Sequence, residues 1–196
     1  MSPRPHQILF PVTSLAILLL LARPALAAPP MLVDQAGLLG DADAAALEQK
    51  LAALSEQYLC DTVIITVNSI GDYTRQETMQ SYYMDGGYGT GEKIGCLMLL
   101  YCLEDRAWRL ACWGEVDAFT NAGFEFISER LEDDGMNEGN FIAVFNSFAD
   151  WCEKFYEQAQ TGEPYDEGHL PHTISSINMA ISALIILSLI MQGVLI

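Results

Sequence analysis

Basic residues and histidine are scarce in this chain, and that scarcity excludes several classes of function. The 196 residues include 9 Lys and Arg against 26 Asp and Glu. Arg4 and Arg23 precede residue 28, so residues 28–171 carry 7 basic and 26 acidic side chains, a formal net charge of −19. Because nucleic-acid binding depends on Lys and Arg neutralising phosphates, we expect no nucleic-acid partner. Basic partner surfaces or divalent cations would instead be attracted.

The three histidines, His6, His169 and His172, all lie near the ends of the chain. A central domain without histidine argues against Ser-His-Asp or Cys-His nucleophiles and against a His-ligated zinc. The five cysteines contain no C-x-x-C spacing, and their odd number leaves at least one thiol free or paired between chains. Cys96 and Cys112 would face each other across a hairpin in one register alone, so buried apolar thiols are the favoured interpretation.

The N-terminal residues have the pattern of a secretory signal peptide. Arg4 precedes a nearly unbroken apolar run over residues 8–22, and Ala25-Leu26-Ala27 fits the small-x-small cleavage rule. We expect residues 1–27 to be a signal peptide cleaved after Ala27. An uncleaved N-terminal anchor is the alternative.

The other end of the chain is apolar over residues 174–196 and carries no charge. A helix of that length crosses a hydrocarbon core of about 30 Å, so we expect a transmembrane helix. No Lys or Arg follows it. A truncated sequence, a tail-embedded anchor and a removable lipid-anchor signal therefore all stay open. Each places the acidic domain outside the cytoplasm, as an exported protein anchored to a membrane.

Hydrophobic periodicity between the two ends predicts one layered α/β domain over residues 28–161, followed by a linker over residues 162–173. Helical spacing marks Leu47, Leu51, Leu54 and Tyr58, and a longer stripe runs from Phe141 to Ala159. Strands are predicted over residues 62–67, 96–102 and 106–113; the second is apolar throughout, as in a strand buried on both faces. Strands that alternate with helices predict helices on both faces of a sheet.

Two motifs resemble ligand-binding loops but lack the residues that such loops require. The glycine-rich loop 86–95 has Glu92 after Gly91 and Ile94 after Lys93, so it lacks the Gly-Lys-Ser/Thr ending of a phosphate-binding loop. The acidic stretch 132–135 lacks the alternating acids and the final Glu of an EF-hand, which makes it a solvated turn.

A distributed set of oxygen ligands is the stronger candidate site. The candidate metal ligands lie in loops that we expect at the strand ends: Asp34, Asp85, Glu115, Asp117 and Asn121. Carboxylate and amide oxygens that converge at one edge of a sheet suit Ca²⁺ or Mg²⁺ better than zinc. The simpler alternative is a set of ordinary surface acids and turn formers.

The order of these landmarks resembles the TPM domain, a module of photosystem II repair proteins of the thylakoid lumen and of many bacterial exported proteins. The resemblance covers residues 32–159 and is carried by the segment Val33-Asp34-x-Ala36-Gly37-Leu38-Leu39, the strand 64–67, the Gly-Tyr-Gly-Thr-Gly loop before strand 97–100, and the Trp113-Gly114 turn that leads to residues 119–123. It implies a three-layer α/β/α sandwich and calcium or magnesium binding by acidic loop residues. An acid phosphatase activity is attributed to some members.

This chain departs from the family pattern at two positions, and both departures weaken an inherited metal site. Asn121 stands where the family usually has Asp, and Val116 stands where it has Glu. The sequence therefore favours a membrane-anchored accessory module without a catalytic set, acting on other membrane or envelope proteins. The alternative is a metal-assisted acid phosphatase that acts on phosphomonoesters or phosphoproteins.

Overall fold

The computed structural model describes residues 28–171. The predicted signal peptide (residues 1–27), the last two residues of the predicted linker and the predicted transmembrane helix (residues 174–196) lie outside the described residues. Within residues 28–171, none of the helices combines the length and the apolar composition that crossing a bilayer requires.

A four-stranded mixed sheet forms the centre of the domain, in the order β1-β2-β3-β4. Strands β1, β2 and β3 are parallel, and β4 pairs antiparallel with β3 through a tight turn. Their bounds are Leu32–Asp34, Cys60–Val67, Gly95–Cys102 and Ala107–Gly114. The predicted α/β fold is confirmed, whereas β1, three residues long, was too short for periodicity to reveal.

Four helices connect and cover the strands: α1 (Asp41–Tyr58), α2 (Arg75–Gly86), α3 (Asn121–Asp133) and α4 (Phe141–Ala159). Side chains fix two of the N-termini. Thr74 forms a capping box at the start of α2, and the Thr120 hydroxyl accepts from the Gly123 N–H, which stabilises the first turn of α3.

The helices form a layer on each face of the sheet. On one face α4 contacts β2, where the Thr62 and Tyr156 hydroxyls lie 2.9 Å apart, and α1 packs beside α4. On the other face α2 covers β3 and β4, with the Tyr83 and Trp113 rings stacked at 4.9 Å. The two parallel connections advance in the same direction but place α1 and α2 on opposite faces, so their crossovers have opposite hands. One of them departs from the usual right-handed rule.

Strands β2 and β3 are buried along their whole length, which confirms that β3 is a central strand. The stripes predicted on α1 and α4 also face the core, where Phe145, Phe148 and Phe155 are fully buried. The five thiols are free. Cys96 lies opposite Trp113 in the hairpin, and Cys112 lies opposite Leu97, so the two cysteines point to opposite faces of the sheet.

Two glycines allow close contact where the β3–β4 pair ends. A Cβ atom at Gly95 would lie 2.3 Å from the Trp113 carbonyl oxygen and 2.4 Å from Val116 Cγ2. A Cβ atom at Gly114, which has φ +89°, would lie 2.4 Å from the Ile94 carbonyl oxygen. This end of the hairpin therefore has no room for side chains at either position.

Gly95→Ala is expected to lower the free energy of unfolding by about 1–3 kcal/mol, because the added methyl group forces β4 and Val116 to move. Urea unfolding followed by circular dichroism measures the change. Gly168→Ala is the matched control, since its Cβ atom would meet nothing nearer than 3.7 Å. Equal midpoints for the two variants would contradict the steric account.

Candidate functional site

A cleft of about 510 Å³ opens beside the first half of β2. The short β1 pairs with Ile64 to Thr66, which leaves residues 60–63 without a strand partner on that side among the described residues. Pro29 and Pro30 precede β1 and lack backbone N–H groups, so the strand cannot extend over them. Helix α1 and the glycine-rich loop 86–95 form the walls, and the polar residues lining the cleft are Glu48, Ser55, Glu56, Asp61, Thr90 and Lys93.

Asp61 is the charged residue that the fold buries at the inner end of this cleft, with 3% of its surface exposed. Its Oδ2 atom accepts a 2.7 Å hydrogen bond from the Gly89 N–H. Its Oδ1 atom has no hydrogen-bond partner within residues 28–171, and the nearest cation, Lys93 Nζ, lies 3.7 Å away. A buried carboxylate is costly unless a cation compensates it, so this pair holds the loop against the sheet.

The glycine-rich loop is shaped to bring its backbone and Lys93 to this carboxylate. Gly87, Gly89 and Gly91 all have positive φ, a conformation that side chains disfavour. Lys93 Nζ also donates to the Ser55 carbonyl oxygen at the end of α1. The loop therefore serves as a clamp on an internal anion, in place of the nucleotide phosphate that its glycine content suggests.

Two further groups fix the chain that enters β1. The Glu48 carboxylate accepts hydrogen bonds from the N–H groups of Met31 and Leu32. The Tyr88 hydroxyl donates to the Pro30 carbonyl oxygen at 2.7 Å. Burial, followed by nearby Cys96, Glu48 and Asp61, raises the pKa of Tyr88 to about 12, so the hydroxyl keeps its proton and stays a donor at neutral pH.

Burial suppresses the reactivity of four of the thiols. It raises the pKa of Cys60 to about 11 and that of Cys112 to about 12, and it also raises the pKa of Cys96 and of Cys152 well above the ordinary value. Since the thiolate is the reactive form, these side chains act as small apolar core groups at neutral pH.

The candidate metal ligands are divided between the two ends of the sheet. Asp34 ends β1 opposite Thr66, at the carboxyl ends of the parallel strands. Its Oδ1 accepts from the Leu38 N–H and the Thr66 hydroxyl, and its Oδ2 accepts from the Leu39 N–H. Asp34 therefore organises the turn into α1.

Of the other four candidates, Asp85 lies in the last turn of α2 and three follow β4, so they lie toward the opposite end, near the Gly95–Gly114 pair. Asp85 is exposed and accepts from the Ser81 hydroxyl, while Glu115, Asp117 and Asn121 are exposed in or after the loop that leaves β4. Within residues 28–171, no three His, Cys, Asp or Glu side chains stand close enough to hold a metal ion. A cation site at these residues stays a prediction.

Val116, which the family resemblance aligns with a Glu, is buried at the end of the hairpin, where a Cβ atom at Gly95 would lie 2.4 Å from its Cγ2 atom. Glu115 and Asp117 on either side are exposed.

Sequence reasoning missed Asp61, Lys93 and Glu48. A signal for the first two existed: each is a charge at or just before the start of an apolar strand, and the amino ends of parallel strands meet at one edge of a sheet. Glu48 gave no such signal, because a glutamate on a helix surface is ordinary.

Lys93→Met is expected to lower the free energy of unfolding by about 1–3 kcal/mol, since it leaves Asp61 buried without a counter-charge. Lys93→Met combined with Asp61→Asn should recover most of the loss, because the amide needs no counter-charge and its oxygen still accepts from Gly89. Chemical unfolding of each variant measures this. Lys50→Met, which breaks the exposed 2.6 Å pair with Asp150, is the control and should cost under about 1 kcal/mol.

The comparisons with known proteins agree with this architecture. A family model described as the TPM domain matches residues 32–150. The N-terminal domain of a P. gingivalis protein, solved by solution NMR, has a TM-score of 0.53 and 18% identity, over 74% of this chain and 90% of that one. The BA42 protein of the psychrophilic bacterium Bizionia argentinensis has a TM-score of 0.50 and 10% identity, over 69% and 90% of the two chains.

At sequence identities this low, the two solved structures support the fold alone. No curated protein matches the chain. The family model, by contrast, spans more than half of the sequence and covers all four strands, α1 to α3 and the first half of α4. On that match, this chain belongs to the TPM domain family.

Proposed function

We propose that this TPM domain is a docking module without catalytic activity, held on the extracytoplasmic side of a membrane, whose acidic surface binds basic surfaces of other membrane or envelope proteins. The observation that carries the proposal is the exposure of its carboxylates. Of the 26 acidic residues, all within the described part of the chain, 22 are exposed, and the remaining four are Asp34, Glu48, Asp61 and Glu153. Solvated carboxylates stay available to a partner.

Helix α3 and the turn after it carry the densest part of this surface. Six exposed acids lie within residues 125–138: Glu125, Glu129, Glu132, Asp133, Asp134 and Glu138. Arg130 pairs with Asp133 at 2.6 Å and offsets one of them. A patch of one sign steers an oppositely charged partner and selects against anionic ones.

Tethering to a membrane would make such weak contacts useful. The predicted signal peptide and the predicted C-terminal anchor would confine the domain to the layer of solvent next to the bilayer. Confinement raises the effective concentration of partners in the same membrane, so a modest electrostatic affinity suffices. The acidic domain would itself stand off from anionic lipid headgroups.

The alternative function is a metal-assisted phosphatase, which the family resemblance suggests. A phosphomonoester is an anion, and in the cleft it would meet Glu48, Glu56 and Asp61, with Lys93 already paired to Asp61. Divalent cations bound by the exposed acids Asp85, Glu115 and Asp117 would reduce this repulsion. The docking function does not depend on such cations.

Charge removal on α3 should weaken binding to a basic probe. The variant Glu125→Gln/Glu129→Gln/Glu132→Gln is expected to bind a lysine-rich peptide about threefold or more weakly than the parent chain, because it removes the local field. Affinity is measured by fluorescence anisotropy on the full chain in detergent. It should fall steeply from about 0.01 M to about 0.15 M salt, as the Debye length shortens from about 30 Å to about 8 Å.

A matched control separates local from overall charge. Asp41→Asn/Asp43→Asn/Asp72→Asn removes the same three charges from exposed positions away from α3. Equal losses for the two triple variants would show that net charge alone acts, and they would remove the case for a docking surface on α3.

No turnover of p-nitrophenyl phosphate is expected from the full chain with Ca²⁺ or Mg²⁺ present, because the cleft repels anions and the domain lacks a positioned nucleophile. Release of p-nitrophenol is followed by absorbance. Hydrolysis that disappears in Asp85→Ala or Asp61→Asn but persists in Asp150→Asn, an exposed acid on α4, would replace the docking proposal with the phosphatase.

A further inference from the structure

The chain ahead of β1 is held in place as far back as Pro30. Glu48 accepts from the Met31 and Leu32 N–H groups, and the Tyr88 hydroxyl donates to the Pro30 carbonyl oxygen at 2.7 Å. Proline at position 29 has its φ angle fixed by the ring, which limits where Ala28 can go. Ala28 is exposed and comes two residues before the Pro30 carbonyl group that Tyr88 holds.

Ala28 and Pro29 line the cleft that contains Asp61. The charged and titratable groups facing them from the surrounding elements are Glu48 and Glu56 of α1, Asp61 of β2, and Lys93 and the Tyr88 hydroxyl of the glycine-rich loop. Three carboxylates against one ammonium leave the cleft negative. The Asp61 side chain, 5% exposed, adds an Oδ1 atom that has no hydrogen-bond partner within residues 28–171.

We infer that this cleft is a binding site for a primary ammonium group, and that its occupant is the chain's own α-ammonium group at Ala28. The inference depends on the export step of the proposed function, which frees that group. A signal peptidase hydrolyses the Ala27–Ala28 amide: water adds, the C–N bond breaks, Ala27 keeps the carboxylate and Ala28 leaves as an ammonium ion.

Processing thereby changes the charge inside the cleft. Before cleavage, residue 28 presents a neutral amide. After cleavage, one positive charge is added where carboxylates outnumber cations. The new ammonium group lies in a cleft that Glu56, Ala52 and Met31 also line, so Glu56 is the exposed carboxylate that it would compensate.

The test is the reactivity of the α-amine in the full chain, exported by its own leader and purified from membranes in detergent. Labelling with acetic anhydride across pH, read by mass spectrometry of the N-terminal peptide, gives the pKa of the Ala28 amine. We expect it about half a pH unit or more above the ordinary 7.7–8.0, because nearby carboxylates favour the charged form. At pH 7.5 labelling should be about two- to threefold slower than for an unstructured amine.

Glu56→Gln should return the pKa of the amine toward its ordinary value, whereas Glu125→Gln, an exposed acid on α3, should leave it unchanged. Because the pKa of the amine is raised on folding, its contribution to stability is complete below the ordinary pKa and is lost as the pH rises through the folded pKa. Stability should thus fall between about pH 7.5 and pH 9 in the parent chain, and by less in Glu56→Gln.

Two results would overturn the inference. One is an amine with an ordinary pKa that Glu56→Gln does not move. The other is a mature chain whose first residue is not Ala28. Neither result bears on the binding of basic probes by α3, so failure here is distinguishable from failure of the docking proposal.

Discussion

The complete burial of β2 and β3 is the constraint on which the rest of this domain depends. Two adjacent eight-residue strands that are buried at every position need covering layers above and below, and their backbone groups must pair within the sheet. The aromatic stripe of α4 with the leucines of α1 supplies one cover, and α2 supplies the other. Asp61 is the one charged side chain that these strands carry inward, and the glycine-rich loop folds around it.

The layers of this fold were predictable from sequence because an element that is buried on one face has apolar residues at a regular spacing. Leu47, Leu51, Leu54 and Tyr58 repeat at helical spacing, and all four are buried. The grouping of the candidate site was not predictable in the same way. Periodicity indicates which face of an element is apolar, but it does not indicate at which end of the sheet a loop lies, and so Asp34 was grouped with residues from the opposite end.

Asp61 and Lys93 show the other limit of sequence reasoning. Their pairing depends on the parallel register of β2 and β3, which places Asp61 opposite Cys96, three residues beyond Lys93. Single charges beside apolar runs are common at strand boundaries, so neither residue stands out alone. The sequence shows the glycines of the loop but does not show what their backbone groups bind. In the structure, the Gly89 N–H donates a hydrogen bond to the Asp61 carboxylate.

The position of β4 at the margin of the sheet has a consequence for solubility. Among the described residues, no further strand pairs with the outer edge of this eight-residue strand. The unpaired peptide groups of such an edge can pair with a strand of another molecule. Copies of a domain with a formal charge of −19 repel one another electrostatically at close range. The surplus of carboxylates therefore also disfavours edge-to-edge association of β4 between copies of the domain. Crowding or high salt would weaken this protection.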